Sequence, residues 1–332
     1  MAKAGPRDAL ALELQRIGDD PPAPGSWLFF NASPLPGISH GWKESFQCVQ
    51  GFRPDFLLLN DAGYRVEPTL EVSAAGNVAM LIGRNRVWNQ HHVSNFWNAM
   101  KPGATLVVAG AKNNGIASLK KWFSDHVSNT ESYSKYHSVV FQAEKQTEDL
   151  IPVVEIHRQV SGYDLEEGMF SSSGPDRGSL LLSEHFSNRI KGAVADFGAG
   201  WGFLSNQLLS LDGQMKRIEL FEADFRSLEA ARSNVKSDKV ELDFHWIDIS
   251  TEFRKRPFDW VIMNPPFHQS RAAIPDLGRK FIQVAASTLV SGGKLLMVAN
   301  RNLPYEATLK NHFRSFETLT ERDGFKVIEA RK

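Results

Sequence analysis

The carboxyl-terminal half of the chain alternates short apolar runs with longer segments of helical periodicity. The apolar runs lie at 192–197, 217–222, 240–246, 258–264 and 294–300. The helical segments lie at about 201–211, 225–236, 272–290 and 304–313. Strands that alternate with helices in this way form a parallel sheet covered by helices. The pattern therefore predicts an α/β fold with a mostly parallel, Rossmann-like sheet.

The end of the chain departs from this alternation. Two strand-like segments, FETLTE at 316–321 and FKVIEA at 325–330, are joined by the tight-turn signal Asp323-Gly324. A parallel sheet that closes with a hairpin has an antiparallel strand near one edge. We therefore expect a carboxyl-terminal antiparallel hairpin on this sheet.

An internal repeat extends the prediction to the amino-terminal half. Residues 101–123 align without a gap onto 291–313, with Gly, Leu, Val, Ala, Ala, Leu, Lys and Phe identical. We infer two tandem Rossmann-like domains, at 1–155 and 156–332, with the Gly/Ser-rich segment 161–180 joining the halves. Where the second copy has NPPF at 264–267, the first has Gly83-Arg84-Asn85, and the first also lacks a glycine-rich turn.

The charge balance does not indicate a dedicated nucleic-acid-binding domain. Lys plus Arg and Asp plus Glu number 38 each, and neither half is a basic domain. A nucleic-acid partner would have to be held by local patches or be presented within a larger particle. The candidate patches are Arg254-Lys255-Arg256, Arg279-Lys280 and Arg331-Lys332, and for each one taken singly a solvated surface is the more ordinary interpretation.

The composition also limits location and metal chemistry. The first residues have charges throughout, unlike a signal peptide, and no run of about 18 apolar residues occurs, so we expect a cytoplasmic protein without a membrane partner. Cys48 is the only cysteine, which excludes an intramolecular disulfide and thiolate-rich metal sites. His91, His92 and His245 lie at no recognised ligand spacing, and we expect no metal.

A glycine-rich turn follows the strand at 192–197. The sequence DFGAGWG at 196–202 contains Gly198, Gly200 and Gly202 before a helix, and glycines let the backbone bend sharply and approach a ligand beside the positive end of that helix. Such a turn is a weak signal by itself. It is strengthened because each of the next two strands ends with an acid, Glu222 and then Asp248.

These acids suggest a nucleoside-containing cofactor. A carboxylate at the end of the second strand can accept hydrogen bonds from both ribose hydroxyls, which makes Glu222 the candidate and Asp224 the alternative. The dinucleotide fingerprint would need glycine at 203, where Phe203 stands, so an NAD enzyme is disfavoured. Asp196, two positions before the first glycine, suits a cationic end of a cofactor.

Taken together, these motifs resemble the class I S-adenosylmethionine-dependent methyltransferases. Within that class, the phrases MFSSSGPDRGSLLL, NPPFH, VANRNLPY and FKVIEA resemble the bacterial ribosomal RNA guanine-N2 methyltransferases, both the RsmC type of the small subunit and the RlmG type of the large subunit. The resemblance implies that Gly198 to Gly202 hold the methionine portion of the cofactor. It further implies that Glu222 holds the ribose and Asp248 the adenine amino group.

The stretch VIMNPPFHQ at 261–269 fits the chemistry that this resemblance implies. An exocyclic amino group on a purine is a poor nucleophile with two N–H donors in one plane, and two acceptors side by side would orient it. The side-chain carbonyl of Asn264 and the main-chain carbonyl of Pro265 are such acceptors. Phe267 can stack on a base that has left its helix, whereas His268 has no assigned role.

The sequence therefore predicts an enzyme with catalytic residues Asn264, Pro265 and Phe267 and with S-adenosylmethionine as cofactor. Its substrate would be a guanine N2 in ribosomal RNA or a ribosomal subunit, with 16S RNA favoured and 23S RNA the alternative. Other planar amino groups, adenine N6 or protein glutamine, and a non-catalytic RNA-binding assembly factor stay open. The degenerate first domain would stabilise the catalytic one and help to engage RNA. We expect a monomer.

Overall fold

The chain divides into two units, Met1–His157 and Arg158–Lys332. The computed structural model describes residues 4–17, 22–70, 76–146, 150–211, 214–265 and 274–332. Each unit contains one seven-stranded sheet with helices.

The first unit has a sheet in the order β3-β2-β1-β4-β5-β7-β6. Its elements are α1 (Pro6–Ile17), β1 (Trp27–Phe30), α2 (His40–Ser45), β2 (Phe46–Val49), α3 (Arg53–Asp61), β3 (Val66–Glu67), β4 (Asn77–Leu81), α4 (Arg86–Ala99), β5 (Thr105–Ala111), α5 (Ile116–Ser124), β6 (Glu131–Lys135) and β7 (Ser138–Glu144). The strands are parallel up to β5, and β7 pairs antiparallel with both β5 and β6.

The second unit repeats this architecture after a two-stranded ribbon of β8 (His157–Val160) and β9 (Tyr163–Glu166). Its elements are α6 (Arg177–Ser183), β10 (Gly192–Phe197), α7 (Phe203–Leu209), β11 (Met215–Glu222), α8 (Phe225–Asn234), β12 (Glu241–Trp246), β13 (Phe258–Met263), α9 (Ile274–Thr288), β14 (Leu289–Asn300), α10 (Glu306–His312), β15 (Ser315–Arg322) and β16 (Phe325–Arg331). The sheet order is β12-β11-β10-β13-β14-β16-β15.

The two sheets have the same strand order and the same pattern of parallel and antiparallel pairs. The prediction of two tandem Rossmann-like folds is therefore confirmed, and so is the hairpin of β15 and β16, which pair antiparallel around Asp323-Gly324. A parallel sheet whose strands are joined by helices is buried on both faces, which explains why its strands are nearly continuous apolar runs in the sequence.

The segment 161–180, which was expected to join the two halves, is part of the ordered structure of the second unit. This segment contains β9 and the beginning of α6, and its side chains pack into the second unit. The ring of Tyr163 lies 4.7 Å from that of Trp201, and the main chain of Asp164 donates to the side chain of Asn234. Glycine and serine produce the composition of a linker here, but tertiary contacts order the segment.

Element boundaries also differ from the predictions by a few residues. The largest difference is β14, which begins at Leu289 although the sequence predicts a strand from 294. The SGG at 291–293 has the composition of a turn, yet Leu289 pairs with Phe258 and the main chain of Gly292 donates to Lys332. Pairing on both sides thus extends the strand through residues of low β propensity.

The core of the second unit lies on both faces of its sheet. Along β10, Ala193, Ala195 and Phe197 point into one apolar cluster and Val194 points into the other. Side chains within such a sheet cannot reach a ligand, so polar groups become available only where strands end. In the part of the chain that the structure describes, no helix is long and apolar enough to cross a membrane.

Candidate active site

The register of the sheet brings the predicted site residues to one edge. Phe197 at the end of β10 pairs with Phe221 of β11 on one side and with Met263 of β13 on the other. The residues that follow these partners directly, Glu222 and Asn264, therefore flank the glycine turn that begins at Gly198. This is the carboxyl edge of a parallel sheet, where α/β folds bind ligands.

The glycine turn is fixed from both sides. The main-chain N–H of Gly200 donates to Oε2 of Glu222 at 2.8 Å, which ties the turn to the end of β11. Gly202 has φ +91, and a Cβ built on it would lie 2.4 Å from Val235 Cγ2. Only glycine therefore allows α7 to begin this close to the end of α8. A Cβ on Gly200, by contrast, would meet no atom within 4 Å.

Asp196 is a fully buried carboxylate beneath this turn. Its Oδ2 accepts a hydrogen bond of 2.7 Å from Ser205 Oγ, whereas Oδ1 is buried without a partner in the described part of the chain. Burial, with a smaller contribution from the nearby Glu222 carboxylate, raises the pKa of Asp196 to about 7. A buried acid with an unpartnered oxygen would be stabilised by a cationic or N–H-donating ligand.

Glu222 is held by three main-chain donors. In addition to Gly200, the N–H groups of Ala223 and Asp224 donate to its Oε1 at 2.8 Å. The pKa of Glu222 is raised, chiefly because the surrounding protein removes the carboxyl group from water. Asp224, the alternative candidate, is the N-cap residue of α8; its side chain accepts from Ser227 Oγ at 2.8 Å and makes no hydrogen bond to a main-chain N–H of the helix.

Asp248 shapes the turn after β12. Its Oδ1 accepts from the N–H and hydroxyl of Ser250 at 2.8 and 2.7 Å, and its Oδ2 accepts from the hydroxyl of Thr251 at 2.8 Å. Each carboxylate oxygen accepts about two hydrogen bonds, so Oδ2 retains capacity for one further donor. Asp248 lies two residues beyond Trp246, which pairs with Glu222 at the end of β11, so Asp248 lies at the same edge.

Asn264 is oriented by two residues that the sequence analysis did not select. Its Nδ2 donates to Asp176 Oδ2 at 2.6 Å and to Ser179 Oγ at 2.8 Å. Its Oδ1 is buried and has no partner among the described residues. Asp176 is also the N-cap of α6, accepting from the N–H groups of Gly178 and Ser179. The cap pattern was visible in the sequence, but its contact with Asn264 was not.

The glycine turn and Asn264 are neighbours. A Cβ built on Gly198 would lie 4.0 Å from the main-chain oxygen of Asn264 and 3.7 Å from the ring of Phe281. Pro265 is buried at the end of the described segment. Phe267 and His268 lie outside the described residues. The structure thus brings Asp196, the three glycines, Glu222, Asp248, Asn264 and Pro265 to one sheet edge.

A second group of ionisable side chains lies away from this edge. Glu219, Asp243 and His245 have potential metal-ligand atoms within 4.8 Å of one another. Glu219, however, already accepts from Arg217 at 2.9 Å, from His245 at 3.0 Å and from Arg256 at 2.5 Å. A carboxylate neutralised by two guanidinium groups is a poor ligand for a cation, so this group is better described as a partly buried ion-pair network.

The predicted basic patches lie in different places. Arg254 to Arg256 precede β13 and Arg331 pairs with Lys294 near the start of β14, so both patches lie toward the amino edge, opposite the site. Arg279 and Lys280 are on the second turn of α9, and Arg279 forms an ion pair with Asp276. Neither patch at the amino edge is suitably placed to hold a ligand over the glycine turn.

Comparison with known proteins identifies relatives that match most of the chain. The sequence model described as "Methyltransferase small domain" matches residues 164–329. Ribosomal RNA small subunit methyltransferase C of Salmonella newport is 30% identical over 251 residues, covering 74% of this chain and 72% of that protein. The protein of the same name from Shewanella sediminis is 28% identical over 240 residues, covering 69% and 68%.

A solved structure also matches over nearly the whole chain. It is the T. thermophilus 16S rRNA N2 G1207 methyltransferase (RsmC) in complex with AdoMet and guanosine, with a TM-score of 0.80 and 25% identity. The match covers 99% of this chain and 93% of that one. The fold and the carboxyl-edge site together define a class I methyltransferase. The chain belongs to the methyltransferase small domain family, and its predicted resemblance to the ribosomal RNA guanine-N2 methyltransferases is confirmed.

Proposed function

We propose that this protein transfers a methyl group from S-adenosylmethionine to the exocyclic N2 of a guanine in small-subunit 16S ribosomal RNA. The observation that carries the proposal is the orientation of Asn264, whose amide N–H groups donate to Asp176 and Ser179 and whose buried side-chain oxygen has no partner among the described residues. The relatives named small subunit methyltransferase C, and the related structure bound to AdoMet and guanosine, support the same reaction.

The residues at the sheet edge fit S-adenosylmethionine. Asp196 offers a buried, unpartnered carboxylate oxygen for a cationic group, and Gly200 leaves open space above the turn. Glu222 would hold the ribose hydroxyls, and Asp248 Oδ2 retains a lone pair for the adenine amino group. When bound, this cofactor supplies an electrophilic methyl group on a sulfonium. We assign cofactor binding to these residues together with Gly198 and Gly202.

The protein would act on the guanine mainly by alignment. Asn264 Oδ1 and the main-chain oxygen of Pro265 would each accept one N–H of the amino group, which fixes its plane and favours pyramidalisation as the new bond forms. Neither oxygen titrates near neutral pH, and no base is required before transfer: the nitrogen lone pair would form the new C–N bond as the methyl–sulfur bond breaks, and the amino group would then lose one proton to solvent. Well-oriented reacting groups can lower a barrier by roughly 7–11 kcal/mol in the best cases. Phe267 would stack on the guanine after it leaves its helix.

The first unit would not be catalytic. Where Glu222 in the second unit accepts from Gly200, Gln50 in the first unit follows β2 and donates through Nε2 to the main-chain oxygen of Ala32 at 2.7 Å. This neutral tie joins the ends of β1 and β2 without a carboxylate and without a glycine turn. We therefore assign 1–155 as a degenerate domain that stabilises the catalytic domain and helps to engage RNA.

The experiment that tests the reaction compares substrates directly. The protein is incubated with labelled S-adenosylmethionine and with each ribosomal subunit, with naked 16S RNA or with naked 23S RNA, and the modified nucleosides are identified by mass spectrometry. N2-methylguanosine in 16S RNA supports the proposal. The same product only in 23S RNA would support the large-subunit alternative, and label in adenine N6 or in protein glutamine would contradict a guanine substrate.

A second measurement separates an enzyme from a non-catalytic assembly factor. Asn264→Ala should abolish methyl transfer while cofactor and RNA binding persist, because it removes the proposed acceptor for the guanine amino group and no residue assigned to cofactor binding. A wild-type protein that fails to bind the cofactor in calorimetry would instead support the non-catalytic factor. We also propose that the protein acts as a monomer in the cytoplasm, where a ribosomal substrate would be assembled; light scattering tests the monomer.

A further inference from the structure

The amino edge of the second sheet, opposite the candidate active site, carries a row of exposed basic side chains. At or within four residues of the amino-edge ends of β10, β11, β13, β15 and β16 lie Lys191, Lys216, Arg254, Lys255, Arg314 and Arg331. We call these six residues the amino-edge row. The strands β10, β11 and β13 are parallel and β16 runs in the opposite direction, so the end of β16 lies at the same edge as the beginnings of the other three.

The positive charges of the amino-edge row are not neutralised. Two buried acids nearby, Glu219 and Glu329, are each already paired with two other basic side chains. In the part of the chain that the structure describes, the side chains of the row form no hydrogen bond or ion pair. Among the described residues at these strand ends, the exposed acids are Asp259 and Glu317, so the row keeps an excess of four positive charges.

The carboxyl edge of the same sheet has the opposite character. The acids Asp176, Asp196, Glu222 and Asp248 all lie there. The second unit is therefore electrically polarised, although basic and acidic residues balance at 38 each over the whole chain. Because charge distribution rather than net charge steers a partner, a polyanion is attracted to the amino edge of this unit.

The amino-edge row is long enough to follow a nucleic-acid backbone. The strands β11, β10, β13, β14 and β16 are consecutive neighbours in the sheet. Neighbouring strands lie about 4.8 Å apart, so the row extends over about 20 Å between Lys216 and Arg331. A nucleic-acid strand carries one phosphate per roughly 3.4 Å of helix axis, so several phosphates can lie along this length.

The surroundings of the row favour RNA over a lipid surface or an apolar protein interface. Among the described residues, none of the large hydrophobic side chains that are exposed lies within five residues of a member of the row. Membrane-surface binding and the centres of stable protein interfaces both require exposed apolar side chains. Contacts to phosphates require only cationic and polar groups.

We infer that the amino-edge row binds the phosphate backbone of a second stretch of ribosomal RNA, an inference that rests on the proposed function. The row is separated from the candidate active site by the length of β13, whose 6 residues span about 20 Å. The bound stretch is therefore distinct from the nucleotides that directly flank the guanine. Such contacts read no bases, but they favour a long, folded RNA or a ribosomal particle over a short fragment.

The test uses the full-length protein with Arg254→Gln, Lys255→Gln and Arg331→Gln combined. These side chains are exposed and belong neither to the proposed site nor to an ion pair, so thermal unfolding of the triple variant should match that of the wild type. Binding to full-length 16S RNA and to heparin is measured at several salt concentrations. Hydroxyl-radical footprinting of the bound RNA, methylation kinetics and cofactor affinity are measured in parallel.

The matched control combines Arg65→Gln, Lys101→Gln and Lys310→Gln. It removes the same charge at exposed positions outside the row. A second variant, Arg254→Lys with Arg331→Lys, keeps the charge of the row. If charge at this edge attracts the phosphates, both of these proteins should behave as wild type.

The triple variant should show a specific combination of results. The slope of log affinity against log salt for 16S RNA should become shallower by about 2 to 3, as for the loss of three phosphate contacts. The wild type should protect two separate stretches of RNA, one of which contains the methylated guanine, and the triple variant should lose protection of the other. KM for full-length 16S RNA should rise several-fold, with kcat and cofactor affinity unchanged. An unchanged slope and footprint would overturn the inference, as would an equal change in the matched control.

Two further outcomes separate the related proposals. If the triple variant loses heparin binding as much as RNA binding and leaves the footprint unchanged, the row is a general polyanion surface and the inference is wrong. If the wild type methylates no ribosomal RNA, the proposed function fails, whereas the footprints and salt slopes still decide whether the row contacts RNA.

Discussion

Asn264 donates its side-chain N–H to the carboxylate of Asp176 across 2.6 Å, although 88 positions separate the two residues in the chain. A carboxylate only accepts, so this contact determines which end of the Asn264 amide is nitrogen and which is oxygen. Asp176 is itself fixed as the cap of α6. The residue that begins α6 therefore determines the orientation of the Asn264 side-chain oxygen at the end of β13.

Asp176→Asn should slow methyl transfer at unchanged cofactor affinity. An asparagine at 176 has one acceptor oxygen where the carboxylate has two, so either the helix cap or the contact with Asn264 loses a partner. Hydrogen bonds to charged groups contribute about 1.5–3 kcal/mol, which corresponds to at least a tenfold fall in kcat. Single-turnover kinetics measure the rate of methyl transfer in the variant. Ser179→Ala, which removes only the second acceptor, should have a smaller effect; an Asp176→Asn enzyme with full kcat would refute the positioning role.

Asn264→Asp should inactivate the enzyme although it preserves an oxygen at the acceptor position. The new carboxylate would face the carboxylate of Asp176 where an N–H now donates, and repulsion between them would turn the side chain or raise its pKa. The control is Asn302→Asp, which adds the same charge at an exposed position. Methylation assays should show loss of activity for Asn264→Asp and not for Asn302→Asp. Calorimetric titration should show that both variants still bind the cofactor. Activity within twofold of wild type, on the order of experimental error, would contradict this assignment.

The stability of the cofactor-free protein should depend on Asp196 in a pH-specific way. Burial raises the pKa of this acid to about 7, so between its ordinary pKa near 4 and pH 7 the folded state holds a proton that the unfolded chain has released. This contribution to stability is complete below about pH 4 and is lost as the pH rises through 7, at up to about 1.4 kcal/mol per pH unit.

Asp196→Asn removes that dependence and keeps an acceptor for Ser205. The variant should therefore gain thermal stability relative to wild type as the pH increases from 5 to 8, while its affinity for S-adenosylmethionine falls. Glu222 is present in both proteins and largely cancels in the comparison. Thermal unfolding of both proteins across this range measures the effect, and a difference in Tm that is independent of pH would show that Asp196 does not titrate there.

Gly202→Ala and Gly200→Ala should separate stability from cofactor binding. An alanine Cβ at 202 would be forced against Val235 in a left-handed conformation, and the combined steric and backbone cost is about 2–4 kcal/mol. We expect Tm to fall by at least about 4 °C for Gly202→Ala and by less for Gly200→Ala, whose Cβ meets open space. Gly200→Ala should instead weaken cofactor binding. Equal Tm values for the two variants would contradict the packing argument.

Cys48 should be inert in the native protein. It is fully buried in the first unit, and burial raises the pKa of Cys48 to about 12. Because the thiolate is the reactive form, labelling with iodoacetamide at pH 8 should be slow until the protein is denatured and should then modify one residue. Mass spectrometry follows the reaction, and rapid labelling of folded protein would indicate that the core around β2 opens.

The sequence predicted the strands of the second sheet because strands buried on both faces are apolar throughout. It also predicted which residues lie at the carboxyl edge, because these strands end at glycine, proline or acidic residues. It could not predict contacts that depend on tertiary packing. Asp176 has the pattern of a helix cap, but nothing local indicates that Asn264 lies beside it. Likewise, Arg256, which precedes β13, meets Glu219 of β11 across 37 positions, although β10 lies between these two strands. The Gln50 tie was missed because glutamine at a strand end has no specific pattern.

The hydrogen bond from Gln50 to Ala32 shows that the two units differ in the charge that they carry at corresponding strand ends. The second unit carries two acids with raised pKa values, Asp196 and Glu222, at the edge where we propose that it binds its cofactor. In the first unit, the neutral amide of Gln50 joins the corresponding strand ends, so this unit does not lose stability there by burying a carboxylate. On heating at alkaline pH without ligand, we expect the second unit, which we propose is catalytic, to unfold first and the first unit to remain folded.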